Sequence, residues 1–380
     1  MGEDPMEKIQ VARPYFPPED VEEILRDIRA VLESGMLMQG KYVRQFEEEF
    51  AAACGVRHAR AVNAGTSALI GILDYFDVRD REVLVPVNTF LASANAVLFA
   101  GGRPVFVEID RETLLIDFDD MVARTTSRTA GLILVHCAGL ITEDLERIRA
   151  FCSSRGLFLL EDAAHAAGSS RRGRRAGSLG DAGAFSMLAT KIITSGGEGG
   201  MVTTDDEALA HRIVSLRFHG EDEKRGRQDR IGWSWRMTEI QAVCGIRQVR
   251  RLEEIVDRRM GVARRYDEAF ADLPRVHALR LPEGDRNAYY KYPLRLDPPL
   301  DRVAVQERLD REFGVRTGTS YWPPCHLQPA YRERFGYGEG DYPVAEDALG
   351  RTLALPIHCE LTDDQVRRVI EAVRTVCGGS

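Results

Sequence analysis

Residues 157–165 read LFLLEDAAH, and residues 185–203 read FSMLATKIITSGGEGGMVT. The first segment predicts a strand that ends in two carboxylates, and the second places Lys191 between apolar residues and a glycine-rich run. Around them, short apolar runs predict strands at 59–62, 82–85, 104–107, 132–136, 182–186 and 201–203, and helical patterns predict helices at 68–76, 91–99 and 143–152. This alternation is typical of a mostly parallel sheet with helices on both faces.

The chain is long enough for more than one domain. Its 380 residues correspond to about two to three domains. Residues 18–53 predict two helices that are separated near 35–40, and the arginine- and glutamate-rich stretch 238–273 predicts one long helix. The segments that follow are typical of a smaller α+β unit. The sequence therefore predicts an N-terminal helix and large α/β domain over residues 1–250, and a small C-terminal α+β domain over 251–380.

Composition excludes several classes of protein. Hydrophobic residues are 44% and charged residues 29%, which is ordinary for a globular protein. The net charge of −8 argues against nucleic acid as a partner. The seven cysteines show neither CxxC nor zinc spacing, so we expect free thiols in a reducing cytoplasm and no metal site. The acidic N-terminus lacks an apolar region and no 18-residue apolar run exists, so neither a signal peptide nor a membrane span is expected.

Two turns carry groups that suit a bound phosphate ester with a heterocyclic ring. The turn NAGTS at 63–67 opens a predicted helix, and the free N–H groups of such an end attract phosphate. The alternative is an ordinary helix start with Thr66 as N-cap. Asp162 follows an apolar strand, at the edge where α/β sheets bind ligands, and could hold a proton on a ring nitrogen. The alternative there is a helix N-cap.

Lys191 is the third group. Its neighbours are small or apolar, and burial lowers the pKa of a lysine so that the neutral amine can form a Schiff base. A surface lysine before a loop is the alternative, although Ile192 and Ile193 fit it poorly. Phosphate turn, ring-nitrogen carboxylate and imine lysine are the three groups that pyridoxal phosphate requires of a protein. The ordered set predicts that cofactor.

The sequence also resembles a known family, the DegT/DnrJ/EryC1/StrS sugar aminotransferases, over about residues 10–375. These belong to the aspartate aminotransferase superfamily, or fold type I of pyridoxal phosphate enzymes. The segments that carry the resemblance are 40–50, 63–69, 85–90, 104–107, 161–165, 185–191, 197–202, 236–242, 326–331 and 355–356. The resemblance implies a seven-stranded, mostly parallel sheet in the large domain.

The resemblance also implies roles for the catalytic residues. Lys191 would form the imine with pyridoxal 5'-phosphate and later carry the proton. Asp162 would pair with the pyridine nitrogen, and His165 would lie near the ring hydroxyl. The cofactor would pass through its pyridoxamine 5'-phosphate form during turnover.

Further cofactor contacts follow from the same resemblance. Gly65 and Thr66 would offer backbone N–H groups to the phosphate and Ser186 its hydroxyl, while Phe90 would stack on the ring. Ser234 stands where the family commonly has an asparagine that reaches the phosphate of the partner subunit, which puts that contact in question. The charged run 221–227 is expected to be a solvated loop near the neighbouring subunit.

The acceptor region departs from the family pattern. Ser320, Tyr321 and Trp322 replace the family's His-Tyr-Pro. Tyr321, Trp322 and His326 are the predicted substrate-binding residues. An atypical acceptor is expected from these departures.

The resemblance implies an aminotransferase that moves an amino group from L-glutamate or L-glutamine to a keto sugar. The sugar is expected to be nucleotide-linked and to belong to antibiotic or surface-glycan biosynthesis, and the enzyme to be a cytoplasmic homodimer with shared active sites. The alternatives are a cyclitol aminotransferase, a cofactor-dependent sugar dehydratase, and a catalytically silent regulatory protein that binds pyridoxal phosphate. Lys191 disfavours the dehydratase, because the family's dehydratases carry histidine at this position.

Overall fold

The structure is a computed structural model that describes residues 7–222 and 226–378. The α-helices in this part of the chain are α1 (Pro18–Ser34), α2 (Lys41–Cys54), α3 (Gly65–Tyr75), α4 (Leu91–Phe99), α5 (Phe118–Arg124), α6 (Leu145–Arg155), α7 (Glu207–Arg217), α8 (Glu239–Arg250), α9 (Leu252–Phe270), α10 (Arg302–Phe313), α11 (Pro329–Phe335), α12 (Pro343–Gly350) and α13 (Asp363–Cys377). No helix among these residues is long and apolar enough to cross a membrane.

The strands of the described residues are β1 (His58–Val62), β2 (Glu82–Pro86), β3 (Arg103–Val107), β4 (Thr129–Val135), β5 (Phe158–Asp162), β6 (Ser170–Arg171), β7 (Arg174–Arg175), β8 (Ala182–Ser186), β9 (Gly200–Thr204), β10 (Glu221–Asp222), β11 (Arg227–Gln228), β12 (Val276–Ala278), β13 (Tyr292–Leu296), β14 (Gly318–Thr319) and β15 (Thr352–Leu355). Seven of them form the large sheet, in the order β1-β9-β8-β5-β4-β2-β3. Strand β9 is antiparallel to both neighbours, and the remaining pairs are parallel. The predicted α/β class with a seven-stranded, mostly parallel sheet is confirmed.

Apolar side chains fill both faces of this sheet. One cluster joins α2 and α8 to the sheet through residues such as Phe46, Phe185 and Ile246. A second cluster packs α3 and α4 on the other face. Strands such as β2 and β4 are buried along their whole length, as expected for strands covered on both sides.

A four-stranded antiparallel sheet, β12-β13-β15-β14, follows α9 and has its own apolar cluster with α10 and α13. Residues 325–349 instead join the apolar cluster of α3 and α4, for example through Tyr331 and Leu349. The C-terminal part of the chain therefore packs against both sheets. The division at residue 250 stays a prediction.

The predicted single helix over 238–273 is wrong in one respect. Helix α8 ends at Arg250 and α9 begins at Leu252, because Arg251 lies outside helical geometry at φ −95° and ψ 6°. The Arg251 guanidinium bonds Asp20 at the start of α1 and also Glu19 and Glu254. This tertiary contact occurs where neither glycine nor proline marks a break in the sequence.

Candidate active site

The carboxyl ends of β2, β4, β5 and β8 meet at one edge of the large sheet, and a cleft opens there. Its cavity volume is about 180 Å³, and the cleft is open to solvent at its mouth. The predicted residues that line it are Gly65, Thr66, Phe90, Asp162, His165, Ser186, Lys191 and Tyr321. The fold therefore brings together groups from segments far apart in sequence.

Helix α3 points its N-terminus into the cleft. It begins at Gly65, with Ala64 in the N-cap position, and no side chain caps it. Thr66 is therefore not the cap, and the first N–H groups have no partner within the helix. A Cβ on Gly65 would lie 2.9 Å from Cβ of Ser186, so only glycine allows α3 to approach β8 this closely. The Ser186 hydroxyl accepts a long bond from the Leu188 N–H and keeps its own proton to donate.

Asp162 ends β5 and is buried at the floor of the cleft. Its Oδ2 accepts a 2.6 Å hydrogen bond from Ser93 of α4, and its Oδ1 accepts a 3.2 Å bond from the Ala164 N–H. Within the described residues, no helix begins directly after Asp162, so the N-cap alternative is excluded there. The carboxylate is fixed from two sides and lies in the cleft with Lys191.

Lys191 extends into the cleft, with its Nζ 4.4 Å from the centroid of the Tyr290 ring. Burial lowers the pKa of its amine to about 8, against an opposing effect of the Asp162 charge. Within the described residues, Nζ has neither a hydrogen bond nor an ion pair. The amine is thus accessible to a ligand and loses its proton more easily than an ordinary lysine.

The loop that carries Lys191 is fixed by buried neighbours and by its glycines. Ile192 and Ile193 are buried in the apolar cluster of α2 and α8. Gly197, at φ 139°, lets the chain return so that its carbonyl accepts the N–H of Ala189. The surface-lysine alternative does not match this placement.

His165 has a defined tautomer in the cleft. Its Nδ1 accepts a bond from the Ala138 N–H at 3.3 Å, so the proton belongs on Nε2, which lies 2.6 Å from the Tyr321 hydroxyl. Burial lowers the pKa of His165 well below its ordinary value, and the charges of Lys191 and Lys291 lower it further. The ring is therefore neutral, and the Tyr321 hydroxyl, having accepted from His165, can donate its own proton.

Three of the predicted site residues, Ser234, Trp322 and His326, do not line the cleft. Ser234 is exposed and its hydroxyl accepts a 2.8 Å bond from Arg236. Trp322 follows Tyr321 but lies near Arg302 and Gly350 instead of lining the cleft.

His326 is fully buried and bonds Glu346 at 2.9 Å, so it holds α12 instead of lining the cleft. Part of the charged run, residues 223–225, lies outside the described residues.

Ser93, Tyr290 and Lys291 are the site residues that sequence reasoning missed. Ser93 lies in the first turn of α4, the helix that begins directly after Phe90. This position next to Phe90 was the only sequence feature that could have indicated a role for Ser93. Tyr290 packs on His165 with ring centroids 4.0 Å apart. Lys291 lies between tyrosines in the sequence, and its Nζ lies over the ring of Tyr321.

The residues present fit pyridoxal phosphate. An amine of lowered pKa suits its aldehyde, a fixed carboxylate suits its ring nitrogen, and an uncapped helix end with a serine hydroxyl suits its phosphate. Within the described residues there is no group of three or more histidine, cysteine or acidic side chains that could hold a metal ion.

Comparison with known proteins identifies the group to which this chain is related. The model of the DegT/DnrJ/EryC1/StrS aminotransferase family matches residues 18–374. The chain belongs to this family. As a DegT/DnrJ/EryC1/StrS aminotransferase it is an enzyme that uses pyridoxal phosphate, and the predicted family, enzyme class and cofactor are confirmed.

Two curated relatives match this chain over almost its whole length. The chain is 38% identical to the spore coat polysaccharide biosynthesis protein SpsC of Bacillus subtilis over 97% of each chain. It is 36% identical to a dTDP-3-amino-3,4,6-trideoxy-alpha-D-glucose transaminase of Micromonospora megalomicea, over 94% of this chain and 95% of the relative. The crystal structure of DesV from S. venezuelae, in complex with a ketimine intermediate, has a TM-score of 0.91 at 32% identity and covers 98% of this chain and all of that one.

Proposed function

We propose that this enzyme transfers the amino group of L-glutamate or L-glutamine to the carbonyl carbon of a nucleotide-linked keto sugar. The donor becomes the corresponding 2-oxo acid, and the sugar carbonyl oxygen is replaced by an amine. Pyridoxal phosphate, when bound, supplies the electron sink that lets the amino group change carbon atoms. The observation that carries the proposal is the half-buried Lys191 side chain with its lowered amine pKa, which shares the cleft with Asp162.

The cleft residues that would hold the cofactor have these proposed tasks. Lys191 holds the cofactor aldehyde and moves a proton at Nζ, for which its lowered pKa suits it. Asp162, oriented by Ser93, keeps the ring nitrogen protonated. The N-terminus of α3 and Ser186 would bind the phosphate, and the exposed Phe90 at the mouth would supply an aromatic face to the cofactor ring.

The acceptor proposal rests on the relatives. One of them is named as a transaminase of a dTDP-linked trideoxy sugar, and another belongs to polysaccharide biosynthesis. A nucleotide-linked sugar is larger than the cleft around Lys191, so its nucleotide would lie at the mouth, beyond Phe90 and Tyr321. A place in surface-glycan or antibiotic biosynthesis in the cytoplasm follows from this assignment.

A homodimer is proposed from the apolar surface beside the cleft. Met36, Leu37 and Met38 are exposed and lie against the start of α8, where Ile240 is also exposed. Trp233 and Ile231 are exposed in the segment that contains Ser234. Patches of this kind are typical of subunit interfaces. This interface would bring Ser234 toward the partner subunit, at the position where the family commonly has the asparagine that reaches the partner's phosphate.

The proposal is tested by supplying both substrates to the purified enzyme with pyridoxal phosphate. Panels of dTDP-, GDP- and UDP-linked 3-keto and 4-keto hexoses are incubated with L-glutamate or L-glutamine, and products are identified by mass spectrometry. An amino sugar formed with one nucleotide-linked acceptor supports the proposal. Amination of an inosose alone would favour the cyclitol alternative, and loss of a sugar hydroxyl would favour the dehydratase.

A Lys191→Ala variant is the matched control, because it keeps the cleft but lacks the amine. If neither enzyme transfers an amino group while both bind the cofactor, the silent regulatory protein becomes the better interpretation. Trp322 and His326 lie outside the cleft, so substitution of either is expected to leave the acceptor preference unchanged.

A further inference from the structure

A second lysine lies beside the cleft, and nothing in the proposed reaction uses it. Lys291 precedes β13, and its Nζ donates a 2.6 Å hydrogen bond to the carbonyl oxygen of Thr319 in β14. The same Nζ is 4.5 Å from the centroid of the Tyr321 ring and 5.9 Å from that of Tyr290. Lys291 therefore connects strand β14 to the aromatic residues of the cleft.

Holding an ammonium group at this position is unfavourable unless other contacts compensate. Burial lowers the pKa of Lys291, and the positive charge of Lys191 lowers it further. An apolar side chain would fill the same space without this cost. The compensating groups are the Thr319 carbonyl and the faces of two tyrosine rings, which attract a cation.

Tyr321 needs such support because its backbone is strained. Its φ is +56°, a left-handed conformation that is uncommon for an aromatic residue. Its hydroxyl nevertheless lies 2.6 Å from Nε2 of His165, and the two rings are nearly parallel at 5.6 Å. A residue held in this way requires neighbours that fix it on both the backbone and the ring side.

We propose that Lys291 is a positioning residue of the active site, whose ammonium group fixes the 319–321 turn and holds the Tyr321 hydroxyl on His165. Lys291 contacts the Thr319 backbone on one side of the strained residue and the Tyr321 ring itself. Its removal releases both contacts, and Tyr321 relaxes away from His165. The inference concerns the cleft alone and is the same for any keto sugar acceptor.

The first test is structural and needs no activity. Crystal structures of the cofactor-free wild type and of Lys291→Met are compared, and Lys8→Met, which removes an exposed lysine paired with Asp310, is the control. We expect Lys291→Met to lose the bond between Tyr321 and His165, and Lys8→Met to keep it. Retention of that bond in Lys291→Met would overturn the proposal. If Lys291→Met does not fold, Lys291→Leu, which also removes both contacts, replaces it in the comparison with the same expected and contradicting results.

The second test is a double-mutant cycle with Tyr321→Phe. In amine transfer from L-glutamate, Lys291→Met is expected to lower kcat about thirtyfold, the size of a desolvated cation–π contact, with KM for the donor unchanged. Lys291→Arg is expected to restore most of the loss. In the Tyr321→Phe background, Lys291→Met should cause no further loss, whereas two independent, multiplying losses would overturn the proposal. If the wild-type enzyme does not transfer the amino group of L-glutamate, that result counts against the proposed donor only. The comparison of crystal structures then still tests the role of Lys291, because it needs no activity.

Discussion

The hydroxyl of Ser93 donates a 2.6 Å hydrogen bond to Oδ2 of Asp162, across 69 residues of sequence. Thr89 lies 2.7 Å from the same Ser93 hydroxyl, so it is the donor to Ser93 in this chain of three side chains. Ser93 belongs to α4, which begins directly after Phe90. The helix therefore sets the orientation of the carboxylate and the place of the aromatic ring together.

Replacing Ser93 by alanine is expected to weaken cofactor binding. Asp162 would lose the hydrogen bond that holds Oδ2, and a bond to a charged group contributes about 1.5–3 kcal/mol, which corresponds to at least a tenfold change in Kd. Titration of the apoenzyme with pyridoxal phosphate, followed by absorbance, measures it. Ser154→Ala, which removes a surface serine of α6, serves as control. Equal affinities for the two variants would contradict the role given to Ser93.

Gly65→Ala is expected to weaken the phosphate end of the site. The new Cβ would lie 2.9 Å from Cβ and 3.1 Å from Cα of Ser186, so α3 must shift away from β8. A loss of cofactor affinity of about tenfold or more follows if two or more N–H contacts lengthen. The matched control is Gly261→Ala in α9, where a Cβ meets nothing within 4 Å and alanine favours the helix. A Gly65→Ala enzyme with unchanged cofactor Kd would argue against phosphate binding at α3.

Lys191→Met should stabilise the apoenzyme at neutral pH. Burial lowers the native pKa of Lys191 from 10.5 to about 8, so between these values the unfolded state binds a proton that the native state does not. The free energy of unfolding therefore rises with pH across this window. Below about pH 8 the native lysine is charged, and its full desolvation cost lowers the stability of the wild type. The variant should be more stable by up to about 3 kcal/mol at pH 7, with the difference nearly gone at about pH 11. Urea unfolding at both pH values measures it, and a pH-independent difference would contradict the lowered pKa.

His358 should contribute to acid sensitivity. Burial lowers the pKa of His358 to about 4, and the charge of Arg259 is the next cause. Between about pH 6.5 and 4, the unfolded state therefore binds a proton that the native state does not bind. Stability is therefore lost as pH falls from about 6.5 to 4, by up to about 3 kcal/mol. His358→Gln should flatten this part of the unfolding curve, while His211→Gln on the exposed face of α7 should not. Identical acid slopes for both variants would refute the assignment.

Much of the large sheet could be predicted because its strands are buried on both faces and read as short apolar runs. Helix α4 and strand β8 have the predicted bounds, at Leu91–Phe99 and Ala182–Ser186. The interruption at Arg251 could not be predicted, since it depends on acidic residues of α1 that are more than 200 positions away.

The site divides in a similar way. Lys191 and Asp162 could be found because each follows an apolar strand with a distinctive local pattern, and the resemblance then added His165 and Ser186. Ser93 and Lys291 could not be found, since each acts through a partner from another element. His326 lies outside the cleft and bonds Glu346, because a polar residue in a family motif can bind another part of the fold as easily as a ligand; its substrate-binding role stays a prediction.

The most direct test of the central claim, that Lys191 and pyridoxal phosphate together transfer an amino group, is a series of absorbance spectra of the purified enzyme with pyridoxal phosphate. The spectra are taken before L-glutamate, after L-glutamate, and then after a nucleotide-linked keto sugar is added. The account predicts a band near roughly 410–420 nm that moves to about 330 nm with the donor and returns with the acceptor. Lys191→Ala should show neither the first band nor the cycle. A wild-type protein that takes up no pyridoxal phosphate, or a band that no amino donor moves, would contradict the account.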